Sequence, residues 1–177
     1  ETARRLRSRI ELVIDWGTAR GYRTTDNPAR WRLLQTLLPK PSKIKKVRHY
    51  PSLPYEQIPA FIQELRQGES LAALALEFTI LTCVRTSEAL TMEKAELELD
   101  KSLWTIPSHK TKAGREHRVP LSERALGILN GILTDQVRHG IQSNYLFTGS
   151  QESKHLSNMS MLMLLRRIER QDITVHG

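Results

Sequence analysis

Apolar positions recur at helical spacing along most of the chain and shift to strand-like runs in one short region. Glu1 to Arg20 places Leu6, Ile10, Val13 and Trp16 or Gly17 on one stripe, which predicts an amphipathic helix with a basic N-terminal half, ended by Gly21 in the left-handed conformation. Asn27-Pro28 reads as a cap followed by proline at the first helical position, opening a short helix through Leu37 with Trp31, Leu34 and Leu38 inward. Tyr55 to Gln67 carries Ile58, Phe61, Ile62 and Leu65 on one face, and Gly68 ends it. The most apolar stretch is Leu74 to Leu90. From Leu71 its large residues fall at Leu74, Phe78 and Leu81 with further apolar residues between, Cys83 among them, so the helix is expected to be buried on most of its circumference. Arg85 interrupts it. Thr86 or Ser87 can then cap a short helix to about Met92, with Glu88 in its first turn, where the dipole favours a carboxylate. Ser122 opens a further helix with Leu126, Leu129, Ile132 and Leu133 inward, ending near Gly140. Ser157 opens the last, with Met161, Leu164, Leu165 and Ile168 on its core side and Arg166, Arg167 and Arg170 outside.

Strand formers cluster at Leu97–Asp100, Leu103–Ile106 and His117–Leu121. Between the last two lies a polar stretch, 108–115, with Gly114 at its turn. These runs predict a small antiparallel sheet whose hairpin carries a lysine cluster. The fold class is therefore mainly α with a small antiparallel β-sheet (α+β).

Charge sharpens this picture because it is unevenly placed. The formal net charge is +8, yet residues 1–50 hold 13 basic and 4 acidic residues, whereas residues 51–177 hold 14 and 15. Residues 39–54 contain four prolines, the cations Lys40, Lys43, Lys45, Lys46 and Arg48, and no acid. Proline and like charge both oppose a packed element, so the stretch reads as an exposed linker, either a solvated tether or a strand tracking a phosphate backbone. A single cysteine excludes a disulfide framework. No run of eighteen apolar residues is present, and a soluble protein of a reducing cytosol, without membrane contact, is expected.

The side chains also narrow the chemistry. The six histidines are scattered without metal-ligand spacing, and there is no Cys-x-x-Cys pair, phosphate loop or nucleophile elbow. No metal or cofactor is expected. Arg85 at a helix end, Lys112 on a hairpin and His176 remain. Together they are what metal-free phosphodiester chemistry needs: a cation for the nonbridging oxygens, a proton donor for the leaving alkoxide, and a second proton-bearing group at the phosphate. Taken alone, Arg85 reads more readily as one half of an internal ion pair with Glu88 or another acid.

The run 81–90, Leu-Thr-Cys-Val-Arg-Thr-Ser-Glu-Ala-Leu, resembles the first arginine box of the tyrosine recombinases, the phage-type integrases. The run 112–121, Lys-Ala-Gly-Arg-Glu-His-Arg-Val-Pro-Leu, resembles their lysine hairpin, and 174–177, Thr-Val-His-Gly, resembles the start of their His-x-x-Arg box. Residues 1–29 are similar to the end of the core-binding domain of prophage and genomic-island integrases.

This resemblance implies that Arg85 clamps the scissile phosphate and that Glu88 orients it. It makes Lys112 the general acid for the 5′-hydroxyl leaving group; Lys110 is the rival, but it lies ten residues before Pro120, against about eight for the family lysine. His176 takes the histidine role. The implied reaction is tyrosine attack on DNA through a 3′-phosphotyrosine, on double-stranded attachment sites, by a tetramer assembled on DNA in the bacterial cytoplasm, nucleoid-associated when bound.

The implied domains are the end of a core-binding domain at 1–38, a basic linker at 39–54, and a catalytic domain from 55 to 177. Arg4, Arg5, Arg7, Lys43, Lys45 and Lys46 are expected on phosphates. The family's second arginine and tyrosine nucleophile are not matched, since Tyr22, Tyr50, Tyr55 and Tyr145 all lie upstream of the box, so a C-terminally truncated, inactive fragment is expected. The competing readings are a non-catalytic helical DNA-binding or architectural module and a structural domain with Arg85 in an internal pair.

Overall fold

The structure, a computed structural model, describes residues 2–38 and 50–176. Lys43, Lys45 and Lys46, and most of the expected linker, lie outside the described residues. The chain divides into two compact units, Glu1–Arg48 and His49–Gly177.

The first unit pairs a long helix, α1 (Thr2–Ala19), with a single turn, α2 (Trp31–Leu34). Gly21, at φ +74°, ends α1 as expected: its N–H bonds the Thr18 carbonyl at 3.0 Å, and that of Tyr22 bonds Gly17 at 2.9 Å. Asn27 departs from the expectation of a helix cap. It is 2% exposed, and its amide donates to the Glu11 carbonyl at 2.8 Å and to Asp15 Oδ1 at 2.9 Å, while its oxygen accepts from Ala29 N–H at 2.9 Å. A side chain with both donors and an acceptor can bind two segments at once, and here it ties α1 to the turn before α2. Arg30 stands at the N-cap position instead, and the helix stops at Leu34, leaving Leu37 and Leu38 exposed.

The second unit is built on α4 (Leu71–Thr82). Ser70 caps it, accepting from Ala73 N–H at 3.2 Å. Before it comes α3 (Ile58–Leu65), which buries Phe61 and Leu65; after it come α5 (Thr86–Leu90), α6 (Glu123–Arg138) and α7 (Ser160–Arg167). All four pack on α4. Its fully buried Phe78 meets Trp104 at 5.7 Å and Phe147 at 5.8 Å between ring centres, which joins the helices to the sheet. Leu81 and Cys83 do not join this core. Leu81 is 38% exposed. Cys83 is exposed and ends the helix in the left-handed conformation, φ +53°.

The sheet is antiparallel in the order β1 (Leu97–Glu98), β2 (Leu103–Ile106), β3 (His117–Pro120). Trp104 opposes Leu97 and Val119, and Ile106 opposes His117. β1 is shorter than expected because residues 99–101 turn into a 3₁₀ segment that Ser102 closes at φ +52°. Ser122 caps α6 as expected, accepting from Ala125 N–H at 3.3 Å. Ser157 lies a turn ahead of α7, whose Met161, Leu164 and Leu165 are core. Arg170 is not on the outside. Only 22% of its side chain is exposed; it lies 5.2 Å from the centre of the Phe61 ring and pairs with Asp172 at 3.0 Å and Glu64 at 3.3 Å.

One acid sits inside α4. The Glu77 side chain is 2% exposed between Arg66 at 2.6 Å and Arg124 at 2.8 Å, so α3, α4 and α6 meet on one carboxylate. The Arg124 hydrogen bond holds its pKa below the ordinary 4.5, against the opposing effect of burial and with help from Arg66.

Candidate active site

Burial of α4 fixes where Arg85 stands. Cys83 turns the chain out, Val84 is buried at 7% exposure, and Arg85 follows in extended conformation, φ −75°, ψ 150°, as the N-cap residue of α5. The expected caps, Thr86 and Ser87, fall inside the helix. Arginine has no acceptor atom, so Glu88 supplies the cap: its Oε2 accepts the Arg85 backbone N–H at 3.0 Å, and its Oε1 accepts the guanidinium at 2.8 Å. Burial is asymmetric. The Glu88 side chain is 3% exposed and that of Arg85 57%. Glu88 thus needs Arg85 to be tolerable inside, while the arginine remains open to a second anion.

His176 stands beside the same helix end. Ile173 is buried, the Thr174 N–H bonds the Pro51 carbonyl at 3.1 Å, and exposed His176 places Nε2 at 2.8 Å from Thr86 Oγ1. Thr86 directly follows Arg85. In the sequence Thr86 reads only as a cap, and nothing local marks it as the histidine's partner, because that contact joins residues ninety positions apart.

The hairpin separates its two lysines. Lys110 has a side chain 14% exposed, and its ammonium donates to the Thr91 carbonyl at 2.8 Å, to Glu93 Oε1 at 2.7 Å and to the Glu96 carboxylate. Glu96 also accepts the Trp104 indole N–H at 3.0 Å. Burial opposes the charge on Lys110, but the Glu93 and Glu96 hydrogen bonds outweigh it and raise its pKa above 10.5. Such a lysine is a poor proton donor. Lys112 is exposed, on a turn closed by the Thr111 hydroxyl, which donates to the Arg115 carbonyl at 2.7 Å, and by Gly114 at φ +64°.

Helix α5 therefore has Arg85 and the Thr86–His176 contact at its start and the hairpin's Lys110 at its C-cap residue, Thr91. At 1.5 Å per residue those ends are about 9 Å apart. Among the described residues, no group of three or more His, Cys, Asp and Glu could hold a metal ion, and no helix is long and apolar enough to cross a membrane.

The expected DNA contacts on α1 divide. Arg4 and Arg5 are exposed. Arg7 is turned into its own unit: its side chain is 19% exposed, it pairs with Glu11 at 2.5 Å, donates to the Ala29 carbonyl at 2.6 Å, and lies 5.7 Å from the Trp31 ring centre. Its donors brace the α1–α2 turn, so a role on phosphate does not fit it.

A buried helix followed by a short one with an arginine at its N-cap, and a lysine hairpin on a three-stranded sheet, belong to the fold of the tyrosine recombinase catalytic domain. The lambda integrase tetramer bound to a Holliday junction shares it, at TM-score 0.60 and 16% identity over 94% of this chain and 44% of that one. The chain belongs to the phage integrase family. The model of that family matches residues 51–177, and the phage integrase central domain matches residues 1–33. Prophage integrase IntZ of Escherichia coli K12 is 33% identical over all of this chain and 42% of its own length; the integrase of Enterobacteria phage P4 is 31% identical over 73% of this chain and 31% of its own length. The chain thus spans less than half of these relatives.

Proposed function

We propose that this chain is the part of a site-specific DNA recombinase that grips the scissile phosphodiester and protonates its leaving group. The observation that carries this reading is the exposed guanidinium of Arg85, aimed by buried Glu88 at the helix end where His176 meets Thr86. In the proposed step a tyrosine oxygen forms a bond to phosphorus while the bond to the 5′-oxygen breaks. Arg85 stabilises the charge on the nonbridging oxygens, Lys112 gives its proton to the 5′-oxygen, and His176 at the phosphate takes up or passes on the proton that the tyrosine hydroxyl gives up. The phosphate–tyrosine bond keeps the bond energy until a second strand's 5′-hydroxyl attacks it. None of the tyrosines is assigned as nucleophile; Tyr145, for one, packs edge-on against His155 at 5.5 Å.

The substrate in this reading is duplex DNA at attachment sites, processed by a tetramer in the bacterial cytoplasm. Residues 1–38 end a core-binding domain, 39–54 are the linker, and 55–177 are catalytic. Arg4, Arg5, Lys43, Lys45 and Lys46 hold phosphates without reading sequence. A nicked suicide duplex incubated with the full-length integrase tests the function. A denaturant-resistant protein–DNA adduct is expected, whereas retention that denaturant abolishes would favour an architectural DNA-binding role.

A further inference from the structure

Two lysines stand two residues apart on one hairpin, and their surroundings are opposite. Lys112 is exposed on the turn; Lys110 is held by a backbone carbonyl and two carboxylates. Those three partners come from different places. Thr91 is the C-cap of α5, Glu93 precedes the 3₁₀ segment Lys94–Glu96, and Glu96 is tied by Trp104 to the central strand β2. One ammonium therefore fastens the base of the hairpin both to the sheet and to the helix that carries Arg85. The tie is ionic and largely dehydrated, since the side chains of Lys110 and Glu96 are 14% and 7% exposed. Groups so arranged hold one geometry better than exposed pairs do. Beyond Lys110, the Thr111 hydroxyl accepts the Arg115 N–H at 3.2 Å and donates to the Arg115 carbonyl at 2.7 Å, so the turn that carries Lys112 is itself tied across just after the fixed lysine.

We propose that Lys110 is a positioning residue, which through its hold on Thr91, Glu93 and Glu96 sets the distance between the Lys112 ammonium and the leaving 5′-oxygen beside Arg85. This rests on the reading of Lys112 as the general acid. Lys110 touches no reacting atom. Its loss leaves the proton donor present but misplaced, and a small misplacement of a reacting group costs up to about a hundredfold in rate.

The test compares two suicide substrates in the full-length integrase, one with the natural 5′-oxygen leaving group and one with sulfur at that position. Sulfur leaves as a stable thiolate and needs no proton, so a defect in proton delivery disappears on it, whereas a defect in folding, binding or phosphate clamping stays. For Lys110→Met, single-turnover cleavage should fall about tenfold to a hundredfold on the oxygen substrate and recover to near wild type on the sulfur substrate. Lys110→Arg should restore most of the oxygen rate. Glu93→Gln removes the charge of one partner while leaving Glu96 and Thr91, and should give a smaller defect with the same recovery; it keeps the test open if Lys110→Met does not fold. Full-rate cleavage of the oxygen substrate by Lys110→Met, or an equal defect on both substrates, overturns the proposal. Lys112→Ala separates the two claims: if sulfur fails to rescue it, the reading of Lys112 as the acid falls, whereas rescue of Lys112→Ala without rescue of Lys110→Met removes the positioning role alone.

Discussion

Glu88 makes two hydrogen bonds to one residue: its carboxylate takes both the backbone N–H and the guanidinium of Arg85, at 3.0 and 2.8 Å. The backbone bond fixes where the helix starts, and the side-chain bond fixes where the arginine points. Folding and function are therefore joined at a single buried acid. Glu88→Ala should lower stability by about 1–3 kcal/mol, the cost of a lost cap and an unmet buried donor, and slow DNA cleavage as well. Glu88→Gln keeps an acceptor for the backbone but loses the charge. It should recover much of the melting temperature and less of the cleavage rate. Thermal melts set beside single-turnover rates check the split.

Glu77 gives the second unit its acid limit. Its carboxyl pKa lies below the ordinary 4.5, because of the Arg124 hydrogen bond first and the Arg66 bond after the opposing effect of burial. A carboxylate with a depressed folded pKa contributes its stability fully above the unfolded value and loses it as pH falls through the folded one. Urea melts from pH 6 downward should therefore show stability falling below about pH 4.5, and Glu77→Gln should flatten that part of the curve. Because Arg66 and Arg124 are 45% and 44% exposed, removing Glu77 lets both rehydrate. Removing both arginines strands a buried carboxylate and should cost more.

Duplex affinity should fall steeply with salt, by about 0.9 log units per log unit of salt for each phosphate neutralised. Reversing charge at Lys43, Lys45 and Lys46 should flatten that slope, and Arg4→Glu should do so to a smaller extent. Arg7→Ala should instead lower the stability of the first unit with little change in slope, because its guanidinium is bonded to Glu11 and Ala29. Titrations at several salt concentrations, with melts of the same variants, distinguish these outcomes.

Local rules made much of this molecule legible. The amphipathic helices, the hairpin at Gly114 and the caps at Gly21 and Ser122 each follow from spacing or from one residue's backbone freedom, and all are present. The apolar helix α4 was harder to orient. A segment apolar on nearly every side has no period to mark its exposed edge, so Leu81 and Cys83 read as core although both face out. Long-range polar contacts left no local trace at all. Asn27 reads as a cap because Asn-Pro opens helices, yet only its oxygen serves the local backbone, at Ala29, and its amide goes to Glu11 and Asp15 on α1. Arg7 looked like a surface cation for the same reason. Arg85, Lys112 and His176 stand out as candidates because their order along the chain resembles a family's, whereas Thr86 and the partners of Lys110 depend on which elements fold together.

In the proposed reaction Arg85 acts on a phosphate rather than serving only as the counterion of Glu88. The most direct measurement is the rate of covalent adduct formation on a nicked suicide duplex by full-length integrase carrying Arg85→Ala, with a melt to show that it is folded. Removing a group that stabilises charge in the transition state costs about a hundredfold to a thousandfold. The variant should be a folded protein that binds the duplex and forms adduct at least about a hundredfold more slowly than wild type. Adduct formation by folded Arg85→Ala at the wild-type rate would contradict this role for Arg85.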